Sequence, residues 1–315
     1  MNKNHLAIIF SCLLPVTAMA ESALGSHCLA IWANGGVATY VGSTPSELKI
    51  STTLGGGGGL GVGYEWRGSA LLVQTGLGAR YIYAGFRSDE NKYTLPNQYD
   101  SEGDQMDYQY IENKRSDTYS QLAVQVPIMV GVHANHFYFL VGPKLGINVL
   151  NQAKASGVYS AQGVYEMLID PLAHMDNHMF FTDRELSADN KYGMKINVAG
   201  SLEIGGEFQL RDGSNGGTYM RIGAFADFNI LDDRSSSSNP MLKTPAVFND
   251  KDMISEVKLT DYLNSSAAQN PMRQLLAGVK LTVLFTSGVR YGCVMCEGGY
   301  PSNRDRRRGS RLMMH

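Results

Sequence analysis

The sequence lacks several features that define common protein classes. After residue 20, no uninterrupted apolar run approaches the roughly 20 residues that a membrane-spanning helix needs. The formal net charge is only −2, which argues against a nucleic-acid partner. No serine lies in the Gly-x-Ser-x-Gly pattern of a nucleophile elbow. The class of this protein must therefore be inferred from the pattern of its strands.

The first 20 residues have the pattern of an export signal. Lys3 gives a short positive region, residues 6–16 are mostly apolar, and residues 18–20 form a small-residue cleavage site that ends at Ala20. A lipoprotein signal through Cys12 is disfavoured because Phe10 is bulky for such a site. Export without a membrane helix leaves a periplasmic, secreted or outer-membrane β-barrel protein.

The clearest strand pattern lies in residues 117–150. In its first half the even positions are apolar, namely Leu122, Val124, Val126, Ile128, Val130 and Val132. In its second half the odd positions are apolar, namely Phe137, Phe139, Val141, Leu145, Ile147 and Val149. A period of two on both sides of a short turn predicts a β-hairpin with one apolar face. Pro143 cannot donate to the strand ladder, so we expect a bulge or a break in pairing there.

Six further stretches alternate in the same way, at residues 27–40, 54–66, 71–86, 194–210, 220–230 and 275–285. The links between the eight predicted strands alternate between tight turns and long polar stretches, the latter at residues 43–53, 87–116, 151–190 and 232–270. This arrangement is typical of an outer-membrane barrel with short periplasmic turns and long extracellular loops. The sequence predicts an all-β fold, an eight-stranded antiparallel transmembrane β-barrel over residues 21–287.

From Cys28 to Phe285 the chain resembles the OmpA-like or OmpX-like family of small outer-membrane β-barrels. The resemblance is carried by the glycine-rich hairpin at residues 54–83, the hairpin at 122–149 and the closing strand. Residues 278–283 partly match the assembly signal at the end of such barrels, although Leu276 stands where the family usually has a polar residue. The resemblance implies the bacterial outer membrane as location, with lipopolysaccharide, other outer-membrane lipid and the barrel assembly machinery as partners.

The polar faces of the predicted strands carry charges of both signs inside a narrow lumen. Because buried charges are costly unless they are paired, we expect a structural network across the lumen. Its predicted members are Glu65, Arg80, Lys144, Lys195, Glu203, Glu207, Arg221, Asp227 and Lys280. A salt-bridged plug is the favoured interpretation, and a narrow ion or small-solute channel is the alternative.

Motifs for chemistry are weak. Residues 56–61 match the dinucleotide fingerprint but lack the strand before it and the helix after it, so they predict a glycine-lined strand. His174 and His178, with Asp183 and Glu185, are read as a solvated loop rather than a metal site. We therefore expect no enzyme activity, no cofactor and no metal. A membrane-embedded lipid A hydrolase remains a third possibility by analogy of fold alone.

Tyrosines punctuate the polar stretch at residues 87–116, at Tyr93, Tyr99, Tyr108 and Tyr110. Two interpretations stay open. Tyrosines in a polar loop provide contact area for surface recognition. Alternatively, Tyr108 and Tyr110 continue the barrel strands beyond the membrane.

Three cysteines follow the signal, namely Cys28, Cys293 and Cys296, and they are disulfide candidates in an oxidising compartment. Cys28 could pair with either of the others, or Cys293 could pair with Cys296. Residues 288–315 lose the alternation and end in a run of arginines, which predicts a disordered basic periplasmic tail. Such a tail could contact anionic lipid or peptidoglycan.

Overall fold

The computed structural model describes residues 26–45, 47–100, 102–134, 136–166, 171–172, 178, 180–211, 217–234, 239–243 and 257–286. The predicted signal with Ala20, the predicted tail, Cys293, Cys296 and His174 lie outside the described residues. The described part is all-β. Its strands are β1 (Ser26–Val41), β2 (Ile50–Arg67), β3 (Leu71–Ser88), β4 (Asn91–Tyr99), β5 (Gln105–Ala134), β6 (Phe137–Val164), β7 (Phe181–Tyr192), β8 (Lys195–Arg211), β9 (Thr218–Asn229), β10 (Leu242–Lys243), β11 (Lys258–Leu259) and β12 (Arg273–Thr286).

One large antiparallel sheet contains ten of these strands in a partial ring. Its order is β4-β5-β3-β2-β1-β12-β9-β8-β6-β7, with a further pairing between β5 and β6. The first and last ring strands also pair, with Leu29 opposite Phe285. β10 and β11 form a separate short hairpin. Within the described ranges, no helix is long and apolar enough to cross a membrane.

Two pairs of consecutive strands are collinear, namely β3 with β4 and β7 with β8. Ser88 of β3 pairs with Arg115 of β5, and Asn91 of β4 pairs with Glu112 in the same register. β7 and β8 likewise pair with β6 in one register on either side of residues 193–194. The ten strands therefore follow eight lines. The break between β3 and β4 falls where Glu90 adopts a φ of 52°, a conformation that interrupts a strand.

The polar stretches at residues 87–116 and 151–190 were predicted to be loops, and this was wrong for most of their length. β4 and the first part of β5 occupy the former, and the end of β6 and β7 occupy the latter. The inward positions there are filled by tyrosine, alanine and buried polar residues. These do not look apolar in sequence, but they pack on the inner face of the strands.

The two faces of the ring strands differ as the alternation predicts. Apolar side chains cover the outer face, among them Ile31, Leu60, Leu77, Ile128, Phe137, Ile196, Ile204, Phe208, Ile222 and Val279, each exposed by at least 44%. The inner face carries the buried polar and charged residues together with alanine, tyrosine and glycine. The chain is thus apolar outside and polar inside, the reverse of a soluble sandwich.

The ladder between β5 and β6 is interrupted beside Pro143. Pro127 pairs with Lys144, and the next pair along the ladder is Val130 with Val141, without a shift of register. Pro127 interrupts the β3–β5 ladder in the same way, between Thr75–Ile128 and Gly78–Gln125. The expected break at Pro143 is present, and its cause is the missing N–H of proline.

Candidate functional site: the polar interior and its cap

Glu65, Arg67, Glu207 and Arg221 form a buried charge cluster near the end of the ring where the short turns lie. Arg221 donates to both oxygens of Glu65, at 2.5 and 2.8 Å, and to Oε2 of Glu207 at 2.7 Å. Arg67 binds the other oxygen of Glu207 at 2.5 Å. Charged groups so deeply buried are stable only when every charge has partners, and here the two arginines neutralise the two glutamates.

A second cluster lies around Glu203. Lys280 Nζ binds Glu203 Oε2 at 2.6 Å, and the Tyr138 hydroxyl donates to Oε1 at 2.8 Å. Lys280 also lies over the ring of Trp32, with Nζ 5.3 Å from the centroid. The guanidinium of Arg221 lies 4.7 Å from the centroid of Tyr138, which links this cluster to the first.

Trp32 fits because the wall beside it is made of glycine. A Cβ at Gly61 would lie 2.2 Å from Cζ2 of Trp32, and one at Gly76 would lie 2.8 Å from Cη2. Gly63 and Gly78 face the same indole. The glycine-rich stretch that resembles a dinucleotide fingerprint therefore leaves room inside the ring for a tryptophan.

The third cluster surrounds Asp227. Lys144 Nζ lies 2.7 and 2.9 Å from its two oxygens, and the Ser201 hydroxyl donates to Oδ1 at 2.7 Å. Arg80 approaches the same carboxylate at 3.5 Å. Among the acidic residues predicted for the network, Asp227 is the ion-pair partner of Lys144.

Of the nine residues predicted for the lumen network, eight take part in these clusters. Lys195 does not: its Nζ donates to the backbone carbonyls of Asp232 at 2.9 Å and Arg234 at 3.3 Å. Lys195 is the first residue of β8, so its long side chain reaches the link after β9 instead of a carboxylate across the ring. Lys195 therefore makes its polar contacts apart from the three clusters.

Arg67, Tyr138 and Ser201 were missed by the sequence reasoning. The predicted stretch 54–66 stops one residue before Arg67, whereas Arg67 is the last, buried residue of β2. The alternation gives the signal that would have found it, since Arg67 has the same parity as Glu65.

A segment between β9 and β12 closes the opposite end of the ring. We call residues 257–272 the cap segment. It contains β11 and a short 3-10 turn (Tyr262–Asn264), and Tyr262 and Leu263 are buried. The ring of Phe86 lies 4.9 Å from that of Tyr262 and 5.0 Å from that of Tyr40, centroid to centroid. Sequence reasoning treated this segment as a polar loop, but its apolar residues pack inward.

Side chains from β5 hold the backbone of the cap segment. Arg115 donates to the carbonyl of Thr260 at 2.6 Å, and Asp117 accepts from the N–H of Tyr262 at 2.7 Å. Arg115 and Asp117 also bind each other through two contacts of 2.8 Å. Burial alone would lower the pKa of Arg115, but the Asp117 carboxylate holds that pKa above its usual value. Burial raises the pKa of Tyr262 to about 12, so this hydroxyl stays neutral.

Asp261 of the cap segment is fully buried and is held by neutral donors. The hydroxyls of Tyr119, at 3.0 Å, and Tyr192 donate to it, as does the amide of Asn264 at 2.6 Å. Tyr119 in turn accepts from the N–H of Leu263 at 2.9 Å. The far end of the cap segment is anchored by Arg234, which donates to the carbonyl of Ala268 at 2.7 Å. The cap is therefore fixed at several points along its length.

The tyrosines of residues 87–116 fall into two groups. Tyr108 and Tyr110 are buried on β5, their rings 4.8 Å apart, in a cluster with Tyr159 and Phe180. They continue the strand and are not exposed for recognition, which decides between the two interpretations for this pair. Tyr99 is 60% exposed at the end of β4.

The remaining predicted sites are only partly within the described residues. Cys28 is a buried thiol on β1, while both of its candidate partners lie outside those residues. Within the described ranges, no group of three or more His, Cys, Asp or Glu side chains is arranged to hold a metal. No family model matches the chain, and no curated protein is similar enough to count as a relative.

Proposed function

We propose that this chain is a bacterial outer-membrane protein of the OmpA-like type, in which the eight strand lines close into a barrel that crosses the membrane. In this proposal the lumen is plugged, and the protein has a structural or surface-interaction role. The observation that carries the proposal is the continuous apolar outer face of the ring strands. An apolar surface of this extent is unfavourable in water and is expected against lipid.

The length of the apolar face fits a membrane. On β5 it runs from Leu122 to Val132, eleven residues, and a tilted transmembrane strand needs about 9–11. We call this apolar outer face the belt. Tyr81 and Tyr83 lie exposed at one border of the belt, and Tyr64 and Trp66 lie near the short turns at the other border. Aromatic girdles at both interfaces are typical of such barrels.

The interior favours a plug over a channel. Three ion-pair clusters cross the ring, and the cap segment packs Tyr262 and Leu263 over its other end. An eight-stranded barrel has a lumen only wide enough for side chains to fill. Without movement of these groups, no continuous aqueous path for a solute is expected.

The part beyond the belt favours a role at the cell surface. β5 contains 30 residues, of which those before Leu122 lie on the loop side of the belt. Together with β4, β6 and β7 they form a sheet that would project beyond the membrane. Such a rigid projection suits contact with an external partner better than mobile loops do.

The test uses bacterial cells that express the chain for fractionation, and the purified protein folded into lipid for the gel and bilayer measurements. We expect heat-modifiable migration on a gel, recovery in the outer-membrane fraction and no steady conductance in a planar bilayer. Absence of both heat-modifiability and outer-membrane recovery would contradict the barrel. Steady conductance of tens of picosiemens or more would favour the narrow channel.

A further inference from the structure

Uncharged amide side chains form a layer inside the ring, between the third ion-pair cluster and the cap segment. They come from the neighbouring strands β5, β6, β8, β9 and β12, and all of them are buried. The members are Gln121, Gln125, Asn148, Asn197, Asn229 and Gln274. We call this group the amide layer.

Contacts on both sides fix the position of the amide layer. Toward the third cluster, Oδ1 of Asn197 accepts from the guanidinium of Arg80 at 3.5 Å. Toward the cap segment, the amide of Asn229 donates to the carboxylate of Asp233 at 3.1 and 3.2 Å. The N–H of Asp233 in turn donates to the carbonyl of Met272, the last residue of the cap segment, at 2.9 Å. The cap segment therefore lies directly over the layer.

The amides are bonded to one another only weakly. Gln125 donates to Oδ1 of Asn197 at 3.3 Å, and Nδ2 of Asn148 donates to the side-chain oxygen of Gln121 at 3.4 Å. Most N–H···O hydrogen bonds in proteins are about 2.9–3.0 Å long. Bonds as long as those in the layer can be exchanged for shorter bonds to a ligand.

Several polar atoms of the amide layer have no hydrogen-bond partner among the described residues. The donors among them are Nδ2 of Asn197 and Nε2 of Gln274, and the acceptors are Oδ1 of Asn148, Oδ1 of Asn229 and Oε1 of Gln274. A buried polar group without a partner is costly, so such groups usually bind something. Because donors and acceptors occur together here, the fitting ligand must both accept and donate hydrogen bonds.

The surroundings of the layer favour a ligand without charge. Asp227 already binds Lys144, and Asp233 accepts from Asn229. Lys195 donates to two backbone carbonyls. A charged ligand would have to be buried among neutral amides, which is costly unless it is paired. Hydroxyl groups both donate and accept, so a small polyol is the chemical class that fits.

The unpaired atoms are buried, so a ligand reaches them only when one wall of the site moves. On one side the third cluster closes the site with ion pairs, such as Lys144 with Asp227 at 2.7 Å. On the other side the cap segment is held by hydrogen bonds, such as that from Arg115 to the carbonyl of Thr260 at 2.6 Å. A short segment can open locally while the strands stay paired, so the cap segment is the wall that can move.

We infer that the amide layer binds a small uncharged polyol and that the cap segment is the lid of this site. Because the ion-pair clusters close the rest of the interior, the site is a dead end and not a channel. The inference needs the closed interior of the proposed barrel, but it does not need insertion into a membrane.

The test titrates the purified, isotope-labelled protein in detergent micelles with xylitol and follows the side-chain amide signals of Asn197 and Gln274 by NMR. We expect shifts that saturate. Xylonate, which carries a carboxylate at one end of a similar chain, should produce none. Lack of a saturable shift with xylitol, or equal binding of xylonate, would overturn the inference.

Variants place the site in the layer. Gln274→Met and, separately, Asn148→Leu remove unpaired atoms of the layer and should each weaken xylitol binding about tenfold, as read from the Asn197 signal. The matched control is Gln74→Met. Gln74 is also buried with both side-chain atoms unpaired within the described ranges, but it pairs with Glu65, which belongs to the first ion-pair cluster. Equal affinity in all four chains would reject the layer as the site.

The lid is tested by the rate of binding. Asp261→Asn loosens the cap segment and should let xylitol bind about tenfold faster, while Asp189→Asn, an exposed change on β7, should leave the rate unchanged. Equal rates would show that the cap segment is not the lid. Heat-modifiable migration separates this inference from the proposed function. Its loss in the unchanged chain would overturn barrel and site together, whereas its presence without xylitol binding would overturn the site alone.

Discussion

Arg221 and Glu65 lie 156 positions apart in the sequence, and their side chains join through two contacts of 2.5 and 2.8 Å in the interior. Both residues are fully buried. Since Glu65 is on β2 and Arg221 is on β9, the pair spans the ring and ties together strands that do not neighbour each other. The interior clusters thus add contacts that the strand ladder alone cannot provide.

Replacing Arg221 should destabilise the protein strongly. Arg221→Met leaves Glu65 buried with only the more distant Arg67, at 3.9 Å, as a cation. Breaking a buried pair on one side costs about 3–5 kcal/mol. Urea unfolding in vesicles, followed by the heat-modifiable gel band, would measure the free energy of unfolding.

Two variants control this measurement. Arg273→Met removes an exposed arginine of β12 and should change stability by less than about 0.5 kcal/mol. Adding Glu65→Gln to Arg221→Met should recover part of the loss, because the uncompensated charge is removed. A double variant as unstable as the sum of its single changes would mean that the two side chains act independently.

A side chain at Gly61 should disrupt the packing of Trp32. In Gly61→Ala the new Cβ would lie 2.2 Å from Cζ2 of the indole, so the tryptophan must move away from β2. Overpacking of this kind costs about 1–3 kcal/mol. Intrinsic tryptophan fluorescence and urea unfolding together would report both the displacement and the loss.

Gly35→Ala is the matched control, since the nearest atom to its Cβ is a backbone oxygen at 3.8 Å. Its stability should stay near that of the unchanged chain. Combining Gly61→Ala with Trp32→Leu should recover stability relative to Gly61→Ala alone. Equal losses for Gly61→Ala and Gly35→Ala would show that the indole does not determine the glycine at this position.

The alternation of apolar and small or polar residues was sufficient to predict most of the ring. The predicted stretches 27–40, 71–86 and 194–210 correspond closely to β1, β3 and β8. On these strands the outward residues are large and apolar while the inward residues are small or polar, so the period of two is visible. The parity of Lys144 and Asp227 also placed both side chains on the inner face, although not as a specific pair.

The part beyond the belt was not predicted because the same contrast is missing there. Its inner positions, such as Tyr108 and Ala155, face a small core, while its outer positions, such as Gln109 and Ser156, face water. Tyrosine and alanine among polar residues resemble a loop in sequence. The cap segment was missed for a related reason, since Leu263 is buried by contacts with distant strands and not by any local pattern.

Loss of the Asp261 carboxylate should loosen the cap segment without unfolding the ring. Asp261→Asn places an amide donor against the hydroxyls of Tyr119 and Tyr192, which now donate to the carboxylate. A buried donor or acceptor left unsatisfied costs about 1–3 kcal/mol. Amide hydrogen exchange in residues 257–266 should become about tenfold faster, while exchange on β1 and β12 stays unchanged. Asp189→Asn, an exposed change on β7, is the control, and equal exchange in both variants would contradict a specific role for Asp261.

Protonation of Asp100 at low pH should destabilise the turn between β4 and β5. Burial opposes the charge on this carboxylate, but the Tyr165 hydroxyl at 2.8 Å and the N–H groups of Asp104 and Glu102 at 2.9 Å hold its pKa below the usual value. A carboxylate whose pKa is lower in the folded than in the unfolded chain stabilises above about pH 4, the unfolded value. That stabilisation is lost as the pH falls through the folded value.

We therefore expect the amide resonances of Glu102 and Asp104 to shift with a midpoint below about pH 4, as their hydrogen bonds to Asp100 break. In Asp100→Asn this transition should disappear, because the side chain no longer titrates. Glu102→Gln removes an exposed carboxylate but keeps its backbone N–H, so the transition should persist in that variant. A midpoint at or above about pH 4 in the unchanged chain would mean that the three hydrogen bonds do not outweigh the burial of Asp100, and the turn would then gain no stability from this charge.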